Sequence, residues 1–494
     1  MNSGNDDYLQ RQDTPAKQIG LWLGLIIFVV LCLLPSPEGL SQAGMFTLAL
    51  LALMVIWWVS EALPIGITSL LPIVIAPLFG IATLEQTLPA YAHKIIFLLM
   101  GGFIIGKSIV RWNLHERIAL GILSKVGTKP SSLIAGFMVT SALLSMWISN
   151  TATTIMLVPI VLSVAAVSTM QEEDKKSFTL AALLGTAWAA SIGGLGTPIG
   201  TAPNLIVIGF LEEMGDNRFS FLNWMKFGIP VVLIMVPTAF LVLTKWGPKF
   251  APDPDINAAA MFQERLQNLG KMRTPERRVI VVFSTVAFFW VFRRAFIQDI
   301  SILGVEPFVG LTDHIIAIAG AIILFIIPSG SKSEPGTRLL DWSTAVTIPW
   351  DILLLFGGGL SMAALIKITG LSEWLGGELS FITDFPPIAM TFILVGCVIF
   401  FTELTSNTAT TAAIMPIVAA VALQTGADPA TLAIPIAMAA SCAFMLPMAT
   451  GPNAVIFGSG EVTMAQMAKA GFKLNLIGIV LITSLTSMLA QAFL

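Results

Sequence analysis

Long apolar stretches separated by short polar breaks run from about residue 18 to the end of the chain. They fall near residues 18–35, 44–60, 64–80, 92–112, 131–168, 178–210, 226–247, 278–297, 313–328, 347–369, 387–425, 431–460 and 473–493. A helix rises about 1.5 Å per residue, so a hydrocarbon core of about 30 Å takes roughly 20 apolar residues. Most of the stretches approach that length, and none shows the short two-residue alternation of a barrel strand. The pattern predicts an all-α membrane protein. Composition agrees: of 494 residues 56% are hydrophobic and only 11% charged, where soluble domains run near 25% charged. The first 17 residues, MNSGNDDYLQRQDTPAK, hold no apolar core. They read as a polar arm rather than a cleavable signal.

Two of the stretches are broken by the same polar hexapeptide. SNTATT occupies 149–154, inside 131–168, and recurs at 406–411, inside 387–425. Other landmarks repeat in the same order: FLLMGGF at 97–103 with LLLFGGG at 353–359, and TPIGTAPN at 197–204 with LPMATGPN at 446–453. Three ordered matches at nearly constant spacing indicate an internal duplication. The longest hydrophilic interval, 248–277, divides the chain into halves at 18–247 and 278–494.

Positive charge orients these halves. Each SNT stretch is taken as a re-entrant hairpin that enters and leaves on one side, so eleven stretches span. With the 1–17 arm cytoplasmic, 19 of the 26 Lys and Arg then lie in cytoplasmic segments, including the linker 248–277. Only Arg218, Lys226, Arg293, Arg294 and Lys367 fall outside, while Lys94 and Lys107 lie in or near the membrane. The first hairpin, 131–168, then opens inward and the second, 387–425, outward, which makes the repeat an inverted one. Counting each hairpin as two full spans leaves most loops on the same side, so charge alone does not separate hairpin from span.

The chemistry follows from what a helix start does inside lipid. Ser, Asn and Thr cap helix N-termini by accepting free backbone N–H groups. The trailing arm of each hairpin should therefore begin at its motif and aim unpaired N–H groups and a positive dipole end at the bilayer midplane. That is an anion site without a formal charge. The Pro and Gly residues of TPIGTAPN and LPMATGPN unwind a second helix in each half, and freed carbonyls there suit Na⁺. Ser145 lies four residues before Ser149, and Thr402 four before Ser406, so each hydroxyl pair shares one helix face. With Asn150 or Asn407 they could wrap a small cation. Two inverted copies suit a solute with two carboxylates. The competing reading of such clusters is hydrogen bonding between membrane helices.

Other residues receive plainer readings. The GGF and GGG glycines read as close-packing positions, Trp57 and Trp58 as an interfacial belt, and His93 and His115 as structural. Glu61, Asp351 and Glu403 read as helix-end or packing carboxylates, with a coupling role as the alternative for Glu403. Lys107 costs about 3 kcal/mol inside an apolar helix, so it should pair or snorkel; otherwise it supplies a fixed positive charge in place of a cation. Cys32, Cys397 and Cys442 are too scattered for a disulfide framework or a CxxC site. No basic helix interleaved with aromatics indicates nucleic acid. With three scattered histidines and no GxSxG or HExxH, a hydrolase is disfavoured. Two tight anion clamps argue against a channel.

The residues WWVSEALPIGITSLLP (57–72), WNLHERIAL (112–120), LSMWISNTATT (144–154), TPIGTAPN (197–204), IPWDILLLFGGG (348–359), TSNTATT (405–411) and ATGPN (449–453) together resemble the divalent anion/sodium symporter family, carriers of dicarboxylates, citrate and sulfate. The resemblance implies eleven transmembrane helices, two re-entrant hairpins with SNT at their tips, a homodimer, and an elevator motion of a transport domain against a scaffold. Carried over by motif, one Na⁺ site falls on Ser145, Ser149, Asn150 and Gly200, and the other on Thr402, Thr405, Asn407 and Ala449. Substrate contacts fall on Ser149, Asn150, Thr151, Thr201, Ser406, Asn407, Thr408 and Thr450. The family often has PPN where this chain has APN and GPN, and Gly451 is expected to loosen the second unwound loop. The expectation is a multi-pass plasma-membrane importer of dicarboxylates, C4 acids such as succinate first, driven by Na⁺, with the C-terminus outside. The alternatives are a sodium-independent dicarboxylate or tricarboxylate exchanger and a sulfate transporter.

Overall fold

A computed structural model describes residues 14–168, 170–247, 258–296, 308, 310–378 and 385–493. Residues 1–13 of the predicted arm and 248–257 of the predicted linker lie outside the described residues, while Pro15–Lys17 already belong to the first helix, Pro15–Leu33. Every regular element among those described is helical, apart from one isolated bridge between Pro328 and Arg338. Among the described residues eight helices are long and apolar enough to cross a membrane, and six shorter apolar ones accompany them. The chain is a multi-pass membrane protein.

One order of elements occurs twice. Lys94–Arg111, Leu114–Leu123, the helix pair Pro130–Ser145 and Asn150–Val167, then Glu172–Gly193, Ala202–Glu213 and Phe221–Lys245 form the first series. Trp350–Ile368, Leu371–Glu378, the pair Pro387–Thr402 and Asn407–Thr425, then Pro429–Ala440, Gly451–Gly458 and Met464–Phe493 form the second. The series interlock reciprocally. Asn150–Val167 packs on Gly451–Gly458 of the other series, Asn407–Thr425 packs on Ala202–Glu213, and the two final long helices pack on each other.

Local sequence explains the breaks. Each helix pair turns at an SNT motif whose serine is extended, with ψ of 142° at Ser149 and 131° at Ser406. The second interruption in each series ends on an extended threonine, Thr201 (φ −146°, ψ 146°) and Thr450 (φ −142°, ψ 151°). A proline follows at the second helical position, where its missing N–H would have no partner in any case. Three sequence expectations change. The stretch at 64–80 is divided into Ile65–Thr68 and Leu71–Leu78, because Pro72 begins a new helix more readily than it continues one. The stretch from 178 starts earlier, at Glu172, since Glu172, Glu173 and Asp174 form an acidic first turn that suits the positive helix end. The hydrophilic interval contains the helix Ala258–Asn268, whose Phe262 is fully buried edge-on against Phe137 at 6.2 Å.

Trp57 and Trp58 are corrected as well. Both are buried, and their indoles donate to Leu21 O (3.2 Å) and Ser69 Oγ (3.2 Å), so they tie neighbouring helices together rather than forming an interfacial belt. Neighbouring doublets of apolar residues read alike in sequence, and only packing shows which face turns inward. Outside the membrane, Arg111 pairs with Asp341 and with Glu334 (3.4 Å). The Ser343 hydroxyl, with Thr344 and Arg111, holds the Asp341 carboxyl below the usual carboxylate range.

The glycine doublets are close-packing positions. A Cβ on Gly101 would lie 2.7 Å from the backbone of Ala317, and one on Gly358 would lie 2.4 Å from Ser69 O. In lipid, helices associate mainly through such close approaches, because apolar burial drives them little. Gly358→Val should therefore cost about 1–3 kcal/mol through overpacking and lower the detergent melting temperature. Gly121→Ala, where a Cβ meets nothing within 4 Å, should leave it unchanged or raise it.

Candidate substrate and cation site

The two hairpin tips carry matching polar contacts. Ser145 Oγ donates to Asn150 Oδ1, and Thr402 Oγ1 donates to Asn407 Oδ1 at 2.7 Å and Ala440 O at 3.0 Å. Each contact joins the end of a leading arm to the first residue of the trailing helix. Ser149 Oγ accepts Ala152 N–H at 3.2 Å as an N-cap, whereas Ser406 makes no side-chain cap. Thr405 Oγ1 is committed to Phe401 O (3.1 Å) and Thr410 Oγ1 (2.5 Å).

The first unwound loop closes on the first tip. A Cβ on Gly194 would stand 2.9 Å from Asn150 Oδ1 and 3.2 Å from Gly200 O. Ser145, Asn150 and Gly200, three of the four residues expected at the first Na⁺ site, are thus brought together around Gly194. Thr197 Oγ1 donates to Met146 O at 2.5 Å and fastens loop to tip. The second loop reaches across to the first tip, since a Cβ on Gly451 would lie 2.0 Å from Thr151 Oγ1. Alanine there would collide with Thr151, which gives the departure from PPN a steric reason. The glycine lets the second loop approach Thr151 closely.

Burial sorts the residues into two layers. Ser145, Gly200, Thr402, Thr405 and Ala449 are buried, whereas Ser149, Asn150, Thr151, Thr201, Ser406, Asn407 and Thr408 are at least partly accessible. Thr450 lies at the boundary. Buried oxygen donors beneath an accessible layer of amides, hydroxyls and helix starts can hold a cation below an anion. Among the described residues no Lys or Arg side chain donates to either motif, and Lys107, half-buried, forms no ion pair.

Several residues outside the expected set shape the site. The Glu403 carboxylate is buried and accepts N–H groups from Phe444 (2.7 Å), Met445 (2.9 Å) and Leu446 (3.0 Å), plus Asn475 Nδ2 (2.8 Å). It is a packing carboxylate that caps the second loop. Asn204 Nδ2 bridges Gly194 O (2.9 Å) and Thr197 O (2.8 Å), and Asn453 Nδ2 bridges Ala443 O (3.2 Å) and Leu446 O (3.0 Å). The PN pair shared by both repeats was the signal for these asparagines. His93 has partners that spacing does not show: its Nε2 lies 3.9 Å from Glu212 and 3.8 Å from Glu213, beside a Lys94–Glu212 pair at 3.2 Å.

The sodium-dependent dicarboxylate transporter SdcS of Staphylococcus saprophyticus is 37% identical over 470 residues, 94% of this chain and 89% of that protein. SdcS of Staphylococcus aureus is 39% identical over 474 residues, with the same coverage. In fold the chain is similar to the Alcanivorax borkumensis YdaH transporter, with a TM-score of 0.55 at 11% identity over 96% of each chain. Residues 16–492 match the description "Sodium:sulfate symporter transmembrane region", and over that span the chain belongs to the sodium:sulfate symporter family of membrane transporters.

Proposed function

We propose that the chain imports C4 dicarboxylates, succinate foremost, coupled to Na⁺. The observation that carries this reading is the two-layered site: the buried hydroxyls of Ser145 and Thr402 and the buried Gly200 and Ala449, next to partly accessible SNT helix starts, without a basic side chain. A dianion at membrane depth is prohibitively costly alone. Na⁺ bound by Ser145, Ser149, Asn150 and Gly200, and by Thr402, Thr405, Asn407 and Ala449, supplies the missing positive charge. Ser149, Asn150, Thr151, Thr201, Ser406, Asn407, Thr408 and Thr450 then meet the carboxylates with N–H groups and hydroxyls. An empty cation site leaves a poor anion site, so coupling is electrostatic. The names of the SdcS relatives support both Na⁺ and the dicarboxylate.

In this reading eleven helices span the plasma membrane, the N-terminus is cytoplasmic and the C-terminus outside. The helix pairs at 130–167 and 387–425 are re-entrant hairpins opening inward and outward. The reciprocal packing of the two series supports an inverted repeat, and the polar core suits a transport unit that moves against a scaffold as an elevator, in a homodimer. An exchanger reading is favoured by one observation, the unpaired Lys107, which would stand in for a cation.

Uptake of labelled succinate into proteoliposomes should require external Na⁺ and fall to background when choline replaces it; undiminished uptake in choline would refute the coupling. Asn150→Ala and Asn407→Ala should each lose uptake and Na⁺ dependence together, and wild-type rates in both would reduce the motifs to a structural role. Preloading vesicles with unlabelled succinate should leave the initial rate largely unchanged, whereas an exchanger would need the internal substrate.

A further inference from the structure

The two unwound loops handle their backbone carbonyls in one pattern. In the first, the carbonyls of Gly194 and Thr197 accept Asn204 Nδ2, and that of Leu195 accepts Trp224 Nε1 at 3.0 Å. In the second, those of Ala443 and Leu446 accept Asn453 Nδ2, and that of Phe444 accepts Trp188 Nε1 at 3.2 Å. Position by position these are the same residues of the duplicated loop. The tryptophans come from non-equivalent helices, so the pattern persists although one of its donors is supplied differently. Gly200 N–H then donates to Thr197 O at 3.3 Å, and Ala449 N–H to Leu446 O at 3.2 Å. Among the described residues no donor reaches the carbonyl of Gly200 or of Ala449.

A loop unwound at membrane depth frees several carbonyls at once, and each is a candidate cation ligand. Something must decide which of them remain free. The asparagine amide does so by taking two carbonyls with its two N–H groups. It also shares Thr197 O or Leu446 O with the N–H of Gly200 or Ala449, so the residue that carries the free carbonyl is anchored at its N–H through that common acceptor. Both asparagines are fully buried, and both keep an Oδ1 without a partner. Two acceptors fix the amide orientation, since a flip would set oxygen against oxygen. An apolar side chain would fill the same space without an unsatisfied oxygen, so the amide is retained for what its donors hold.

We infer that Asn204 and Asn453 are positioning residues for cation binding: each withdraws two loop carbonyls and, through the acceptor it shares with the N–H of Gly200 or Ala449, fixes the residue whose free carbonyl meets Na⁺. This rests on the sodium-coupled reading above. Partners behind a metal ligand typically change metal affinity by about 10- to 100-fold. Asn204→Leu and Asn453→Leu, near-isosteric but without donors, should therefore raise the Na⁺ concentration for half-maximal uptake by about that factor, while the maximal rate at saturating Na⁺ stays close to wild type. Thermal stabilisation of the detergent-solubilised protein by NaCl over choline chloride, without substrate, should shift to higher salt in parallel. Asn204→Asp and Asn453→Asp keep the shape, lack the paired donors, and carry the test if the leucine variants do not fold. Folded variants with unchanged Na⁺ half-saturation, or with a reduced maximal rate at unchanged Na⁺ affinity, overturn the inference and leave the transport reading intact. A wild-type protein neither stabilised nor activated by Na⁺ sinks the sodium reading itself.

Discussion

Main chain that leaves its helix inside hydrocarbon must find a partner for each N–H and C=O, because lipid offers none. This chain interrupts its apolar helices at four matched places, two turns between paired helices and two unwound loops, and the polar side chains there supply such partners. Ser149 caps its own helix, Thr197 ties a loop to a tip, and Asn204 and Asn453 take up freed carbonyls. What these partners leave over is a small set of oxygens and N–H groups. Among the described residues, these leftovers include no Lys or Arg side chain.

The halves meet the same requirement differently at one point. At the end of the first leading arm Met146 offers its carbonyl to Thr197. The corresponding residue of the second arm is Glu403, whose carboxylate takes three consecutive N–H groups of its loop and an amide of Asn475. A buried carboxylate survives only when its oxygens are saturated with donors. The second loop is therefore held by a carboxylate where the first is held by a hydroxyl, although the two loops share their PN asparagine contacts. A duplicated fold need not give two equal sites.

Around this polar centre the fold depends on contact distance. Gly101 and Gly358 let helices approach until backbone meets backbone, and Gly451 lets the second loop touch Thr151 of the first tip. Since apolar side chains gain little by leaving lipid for a helix interface, such approaches and a few hydrogen bonds fix the arrangement. Trp57 and Trp58 belong to the same economy, each using its indole N–H to fasten a neighbouring helix.

The sequence by itself determined that the chain is a helical membrane protein, where its helices break, and that the breaks come in matched pairs. Those features are local: apolar length, an N-cap motif and proline or glycine at mid-stretch act on the residues beside them. It also marked Ser145 with Asn150 and Thr402 with Asn407, because helix periodicity and a tight turn join residues so close in the chain. Tertiary structure alone decided that Gly194 lies against Asn150, that Gly451 meets Thr151, that Glu403 saturates a loop 41 residues away, and that His93 lies against Glu212 and Glu213. Each of these depends on which helix faces pack together. That is set by shape and close approach between distant segments, for which local spacing carries no signal.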